Sequence, residues 1–130
     1  MKSEEIAALI KYRLEQAQTA IDDAKFLLDV NRSPQSIVNR AYYAMFYSAL
    51  ALLQKIGEVP SKHSGVISLF DTEFVIKKIF PKELSKNFHK AFEPRQASDY
   101  KTFKAIPKAK AEETLSNSIR FVELVKKHLE

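Results

Sequence analysis

Arg95, Asp99 and Tyr100 stand close together in the stretch FEPRQASDYKTF, residues 92–103. A guanidinium can hold a phosphate through two parallel hydrogen bonds, and a carboxylate or a phenol can orient a hydroxyl or a water beside it. On a continuous helix Arg95 and Asp99, four positions apart, would share a face. Pro94 removes the hydrogen bond to the Lys90 carbonyl and crowds it, so the helix is expected to kink or restart there. Glu93 is pushed away from helical geometry as well. A restart with Pro94 in the first turn would still gather Arg95, Asp99 and Tyr100 within about one and a half turns. Two readings stand on these residues alone. The cluster is a phosphate site, or Arg95 ties a helix end to Asp99, a contact of about 0.3–0.5 kcal/mol in the poorer basic-before-acidic order.

The surrounding charge bears on that choice. The chain has 130 residues and a formal net charge of +5. Residues 77–110 carry ten Lys/Arg against three Asp/Glu, while the segments before and after are each slightly acidic. A one-sided field of this kind favours a polyanion or an acidic protein partner, or it is a solvated lysine-rich face. With no cysteine, a disulfide framework and a cysteine zinc site are excluded, and two glycines leave little material for a glycine-rich phosphate loop. Three scattered histidines offer no metal-ligand spacing, so neither a metal site nor a cofactor is expected. The N-terminus, MKSEEIAALI, lacks the basic flank and apolar run of a signal peptide. The longest apolar run, from Ala41 to Leu53, is far short of the ~20 residues that span a bilayer. A cytoplasmic protein with no membrane contact is the expectation.

The elements that would position these residues are helices, within one domain over residues 1–130. Ile6, Ile10, Leu14, Ala17, Ile21, Ala24 and Leu28 make one stripe of a long amphipathic helix ended by Asn31-Arg32-Ser33-Pro34. Ser33 can cap a second helix, with Pro34 at its first position and Gly57 as its stop. This second helix is apolar on nearly every side in its middle, which predicts a central position under several others. Its polar exceptions, Asn39 and Arg40, precede Tyr42, Tyr43 and Tyr47, which read as core or interface aromatics. After Pro60 a third helix is expected to turn Val66, Ile67, Leu69, Phe70, Phe74, Val75 and Ile79 inward. Pro81 precedes a fourth helix with the stripe Leu84, Phe88, Ala91 and Phe92. Pro107 precedes a fifth, with Leu115, Ile119, Val122, Val125 and Leu129 inside. The fold class is all-α, an antiparallel up-and-down bundle of four to five helices.

Three blocks, NRAYYAMFYSALALL (39–53), KHSGVISLFDTEFV (62–75) and AFEPRQASDY (91–100), resemble in order and spacing the HEPN family, the higher eukaryotes and prokaryotes nucleotide-binding domains. The resemblance covers nearly the whole chain and is strongest to small stand-alone prokaryotic members. It implies a homodimer that binds RNA or nucleotide phosphate in a basic cleft, often as a metal-independent endoribonuclease toxin of a toxin–antitoxin or defence system. In those nucleases an arginine is followed, four to six residues later, by a histidine. The arginine matches Arg95, but Tyr100 stands at the histidine's place and no histidine lies between 90 and 127. By this resemblance Arg95 binds phosphate or transition-state charge, and Asp99 and Tyr100 orient the substrate. Asn39 and Arg40 either face the same cleft or anchor the start of their helix. Lys62, His63, Lys101 and Lys104 are further phosphate contacts, although His63 could equally serve to begin the third helix. Other family members pair with a minimal nucleotidyltransferase that adenylylates a tyrosine near the arginine, which makes Tyr100 a candidate for modification and such an enzyme a candidate partner.

Overall fold

A helix that is apolar all round has to be enclosed, and this requirement organises the chain. The computed structural model describes residues 2–96 and 105–130, with 94–96 described by their backbone only. The described residues form five α-helices: α1 (Ser3–Asp29), α2 (Pro34–Lys55), α3 (His63–Phe70), α4 (Lys82–Gln96) and α5 (Lys108–Leu129). No strand occurs among the described residues. α2 touches all four of the others. Its Ala41, Tyr42, Ala44, Met45, Ser48, Ala49, Ala51, Leu52 and Leu53 are buried.

Local chemistry sets the ends of α2. The Ser33 hydroxyl accepts from the Ser36 amide at 3.3 Å, and Pro34 occupies the first turn. At the other end Gly57 has a φ of +79°, the left-handed conformation that stops a helix. α1 returns along α2 through a tight connection at Asn31, which takes a φ of 58°. Ala17, Ala20 and Ile21 of α1 meet Ala44 of α2 and Val122 of α5, and Ala24 meets Ile37, Val38, Ala111 and Leu115 further along. Alanines at these crossings let the three helices approach closely. The larger core lies on α2's other side, where Phe70, Phe88 and Phe121 meet with ring centroids 5.0–5.7 Å apart.

Residues 56–62 lead the chain back beside α2, so that α3 begins against Tyr42 and Phe46 rather than at the end of the bundle. Gly65, in the first turn of α3, permits this. A methyl group at that position would sit 3.2 Å from the Pro60 side chain.

Two expectations need correction. α3 does not extend its stripe to Ile79. It ends at Phe70 and widens into a π-helical turn over Asp71–Val75, closed by the Ile76 amide on the Asp71 carbonyl at 2.8 Å. The wider turn changes the angular phase, Val75 is only half-buried, and Lys78 at φ 62° ends the helix. The amides of Ile79 and Phe80 then both reach the Phe74 carbonyl, and Phe80 turns inward while Ile79 remains 45% exposed. Second, α4 runs through Pro94 to Gln96 without restarting. Pro94 falls in the final turn, so the bond it removes, to the Lys90 carbonyl, is one of the last in the helix and its loss does not interrupt a helix interior.

Phe88 is fully buried among Tyr42, Phe70 and Phe121, which makes it the best single probe of the core. Phe88→Ala is expected to lower the unfolding free energy by about 3–5 kcal/mol, whereas Lys86→Ala, on the exposed side of the same helix, should change it by less than about 0.5 kcal/mol. Urea denaturation of the two variants checks this.

Candidate functional site

Tyr42 is 0% exposed, and a hydroxyl at such depth has to find a partner. It shares a hydrogen bond of 2.9 Å with His63 Nδ1. The His63 ring lies flat on Phe46, with centroids 4.1 Å apart and an interplanar angle of 12°. It is also perpendicular to the Tyr43 ring, with centroids 5.8 Å apart and an interplanar angle of 90°. One hydrogen bond and three ring contacts (Tyr42, Tyr43 and Phe46), all from α2, therefore hold the imidazole at the first residue of α3. His63 does begin that helix, as one reading of the sequence had it, but its side chain is also part of a built cluster.

Arg40 joins the cluster through Tyr43. Its guanidinium carbon lies 5.0 Å from the Tyr43 ring centre, a cation–π contact. Nε and Nη2 of Arg40 donate to Asn39 Oδ1 at 3.3 and 3.1 Å. A guanidinium has five N–H donors, and Asn39 engages only Nε and Nη2 of this one. Asn39 and Arg40 also line an open groove of about 460 Å³ with Leu27, Gln35 and Ser36. They do not tie down the start of α2, a task performed by Ser33. Tyr43 thus links two predicted groups that are distant in sequence, Asn39–Arg40 and His63. Lys62 precedes His63 and is exposed.

α4 approaches the same region. Phe88 and Phe92 lie against Tyr42, with centroids at 5.9 and 5.6 Å. Arg95 belongs to the last turn of α4, three positions after Phe92, and its side chain lies outside the described residues. Asp99, Tyr100, Lys101 and Lys104 also lie outside them, and with them the candidate modification of Tyr100. Part of the basic tract lies on α4. Lys82, Lys86 and Lys90 recur at intervals of four and are all exposed, and no ion pair among the described residues engages them.

The other two histidines lie elsewhere. His89 is exposed and bonds to Asp71 through Nε2 and Oδ2 at 2.7 Å, across from α4 to the π-helical turn. The second Asp71 oxygen, Oδ1, is buried without a hydrogen-bond partner. His128, near the end of α5, meets the rings of Phe74 and Phe80 edge-on. Among the described residues no group of three His, Asp or Glu side chains could hold a metal ion. None of the helices there is long and apolar enough to cross a membrane. A larger groove, of about 820 Å³, lies near the beginning of α1; Ile6, Ile10, Leu14 and Leu129 line it together with charged residues such as Lys11 and Glu15, and neither a histidine nor an arginine is among its lining residues.

Sequence reasoning treated Tyr42 as a core aromatic and passed over its hydroxyl and the platform formed by Phe46. The available signal was a tyrosine where phenylalanine would fill the core equally well, since a buried phenol implies a polar partner.

A family model described as HEPN domain matches residues 10–128. A "UPF0332 protein" of Thermotoga maritima is 37% identical over 122 residues, which is 94% of this chain and 92% of that protein. A protein of Methanocaldococcus jannaschii bearing the name "Putative toxin MJ0605" is 36% identical over 126 residues, 97% of this chain and 90% of its own length. A second protein of that organism, "Putative toxin MJ0142", is 38% identical over 92 residues, 71% of this chain and 63% of its own.

The Tyr42–His63 bond has a measurable consequence. Tyr42→Phe keeps the ring but leaves His63 without this partner, and should reduce stability by about 0.5–1.5 kcal/mol. In heteronuclear NMR the same change should move the His63 ring resonances while leaving those of His128 in place.

Proposed function

This chain belongs to the HEPN domain family, and on that footing we propose that it is a toxin-type member that binds RNA through its phosphates and cleaves it without a metal ion. It acts in this reading as a homodimer with Arg95 in a basic cleft. The observation that carries the reading is the convergence of the Arg40 guanidinium and the His63 imidazole on the single ring of Tyr43. A phosphate donor and a proton-transfer group held against one ring suit a ribose-phosphate backbone. Arg95 supplies a second guanidinium in this reading, which is supported by its position on α4 three residues after Phe92, whose ring lies on Tyr42. Asp99 and Tyr100 orient the ribose, and Lys62, Lys101 and Lys104 hold flanking phosphates. The exposed row Lys82, Lys86 and Lys90 extends the positive surface along α4 and steers a polyanion toward it. The names of the M. jannaschii relatives support the toxin assignment.

Cleavage proceeds by attack of a ribose 2′-oxygen on the adjacent phosphorus, leaving a 2′,3′-cyclic phosphate and a 5′-hydroxyl. Purified protein incubated with tRNA and mRNA in EDTA should give products with those ends. Arg95→Ala should slow cleavage by about 10²–10³-fold, the usual effect of removing one donor to transition-state charge. Arg40→Ala should weaken RNA binding and lower the slope of log affinity against log salt by about one. RNA left intact by the wild-type protein, or cut equally by Arg95→Ala, contradicts the reading.

A further inference from the structure

We infer that the surface over residues 75–82 is a docking site for a partner protein, which meets it with a segment combining apolar side chains with Asp or Glu. Ile76 and Ile79 are 70% and 45% exposed, and with Val75, Phe80 and Pro81 they line one groove of about 610 Å³. Single exposed aliphatics are ordinary, but two that line the same groove form a shared apolar surface open to solvent. The remaining lining residues are Lys78 and Lys82, both exposed, so the groove is basic as well as apolar.

The chain departs from regular geometry to build this surface. The π-helical turn over Asp71–Val75 shifts the helical phase just before it. Lys78 then takes the left-handed conformation, at φ 62°, which few residues other than glycine adopt. Backbone hydrogen bonds hold the result. The Ile76 amide donates to the Asp71 carbonyl, the Lys78 amide to Val75, and the Ile79 and Phe80 amides to Phe74, all at 2.8–3.0 Å. A fixed backbone therefore presents the isoleucines, and little of it has to be ordered on binding. Backbone strain of this kind gathers at ligand clamps and switch regions, and packing alone gives no reason to turn Ile76 outward.

Charge identifies the occupant. Each acid between residues 71 and 83 has a basic partner: Asp71 meets His89, Glu73 meets Lys77 and Glu83 meets Arg120. No ion pair among the described residues engages Lys78 or Lys82, which leaves two positive charges beside apolar walls. A partner carboxylate is well placed there, because a covered apolar surround weakens screening. RNA suits the groove less well. Single-stranded bases stack on exposed rings or guanidinium planes, whereas the groove has no arginine and its one ring, Phe80, is 6% exposed.

The test titrates the chain with a short fluorescein-labelled peptide of leucine and glutamate in helical spacing. Binding should saturate, weaken with salt and shift the resonances of Ile76, Lys78 and Ile79. The Ile76→Ser, Ile79→Ser double variant should bind about tenfold more weakly, as should Lys78→Gly with Lys82→Gln. Glycine adopts a positive φ freely, so the second variant should keep its thermal midpoint, which separates lost binding from lost folding. The same peptide with lysine in place of glutamate should not bind. No saturable binding of the acidic peptide, equal binding of the basic one, or unchanged affinity in both double variants overturns the inference. Poly(U) RNA whose affinity falls in the isoleucine variant would make the groove a nucleic-acid surface. A dimer of the chain that Ile76→Ser dissociates would make it a contact with a second copy. Either result also overturns the inference. The isoleucine variant should cleave RNA as the wild type does, so failure of the inference leaves the RNA-cleaving reading intact.

Discussion

A hydroxyl enclosed on every side has to be hydrogen-bonded, and in this bundle the Tyr42 hydroxyl meets that demand through His63. Much of the site follows from the pair. To place an imidazole at Tyr42, the chain after α2 has to fold back over residues 56–62, and the first turn of α3 has to pass close to Pro60, where Gly65 leaves room. Once α3 begins there, Phe46 and Tyr43 receive the imidazole and Tyr43 also receives the Arg40 guanidinium. α4 closes the other side of Tyr42 with Phe88 and Phe92, which fixes where the helix carrying Arg95 approaches. One buried polar contact therefore couples the packing of three helices to the arrangement of the chemically useful side chains.

Most of the fold was legible because its signals are local and periodic. The Ser33 cap, Pro34, the Gly57 stop and the inner faces of α1, α4 and α5 all follow from spacing and end chemistry, and each is found in place. Legibility failed where one residue changes the phase. The π-helical turn over Asp71–Val75 adds a residue to a single turn, and periodic reasoning then carried Ile79 inward instead of Phe80. Pro94 was weighed by its cost in a helix interior, whereas it lies in a final turn. The site was less legible for a different reason. Asn39–Arg40 and His63 are both visible as polar residues amid aromatics, but their union through Tyr43 depends on the route of residues 56–62, which no spacing encodes.

The electrostatics and the packing divide the molecule into unlike regions. Near the beginning of α1, the groove beside Leu129 is predominantly apolar. Around Tyr43, a guanidinium and an imidazole are fixed by rings, and the outer side of α4 presents Lys82, Lys86 and Lys90. Long-range attraction from such a lysine row acts on any polyanion and falls with salt, whereas groups held against rings, as Arg40 and His63 are, act only at short range.

The central claim is that RNA phosphate meets this protein at the Tyr43 cluster. It is tested most directly by titrating isotopically labelled protein with a short single-stranded RNA in EDTA and following the backbone and side-chain resonances. The account predicts that the largest changes fall on Asn39, Arg40, Tyr43, Lys62 and His63, with smaller changes along Lys86 and Lys90 and none at Ile6, Ile10 or Leu129. Changes centred on the apolar groove at the beginning of α1, or no saturable change anywhere, would contradict it.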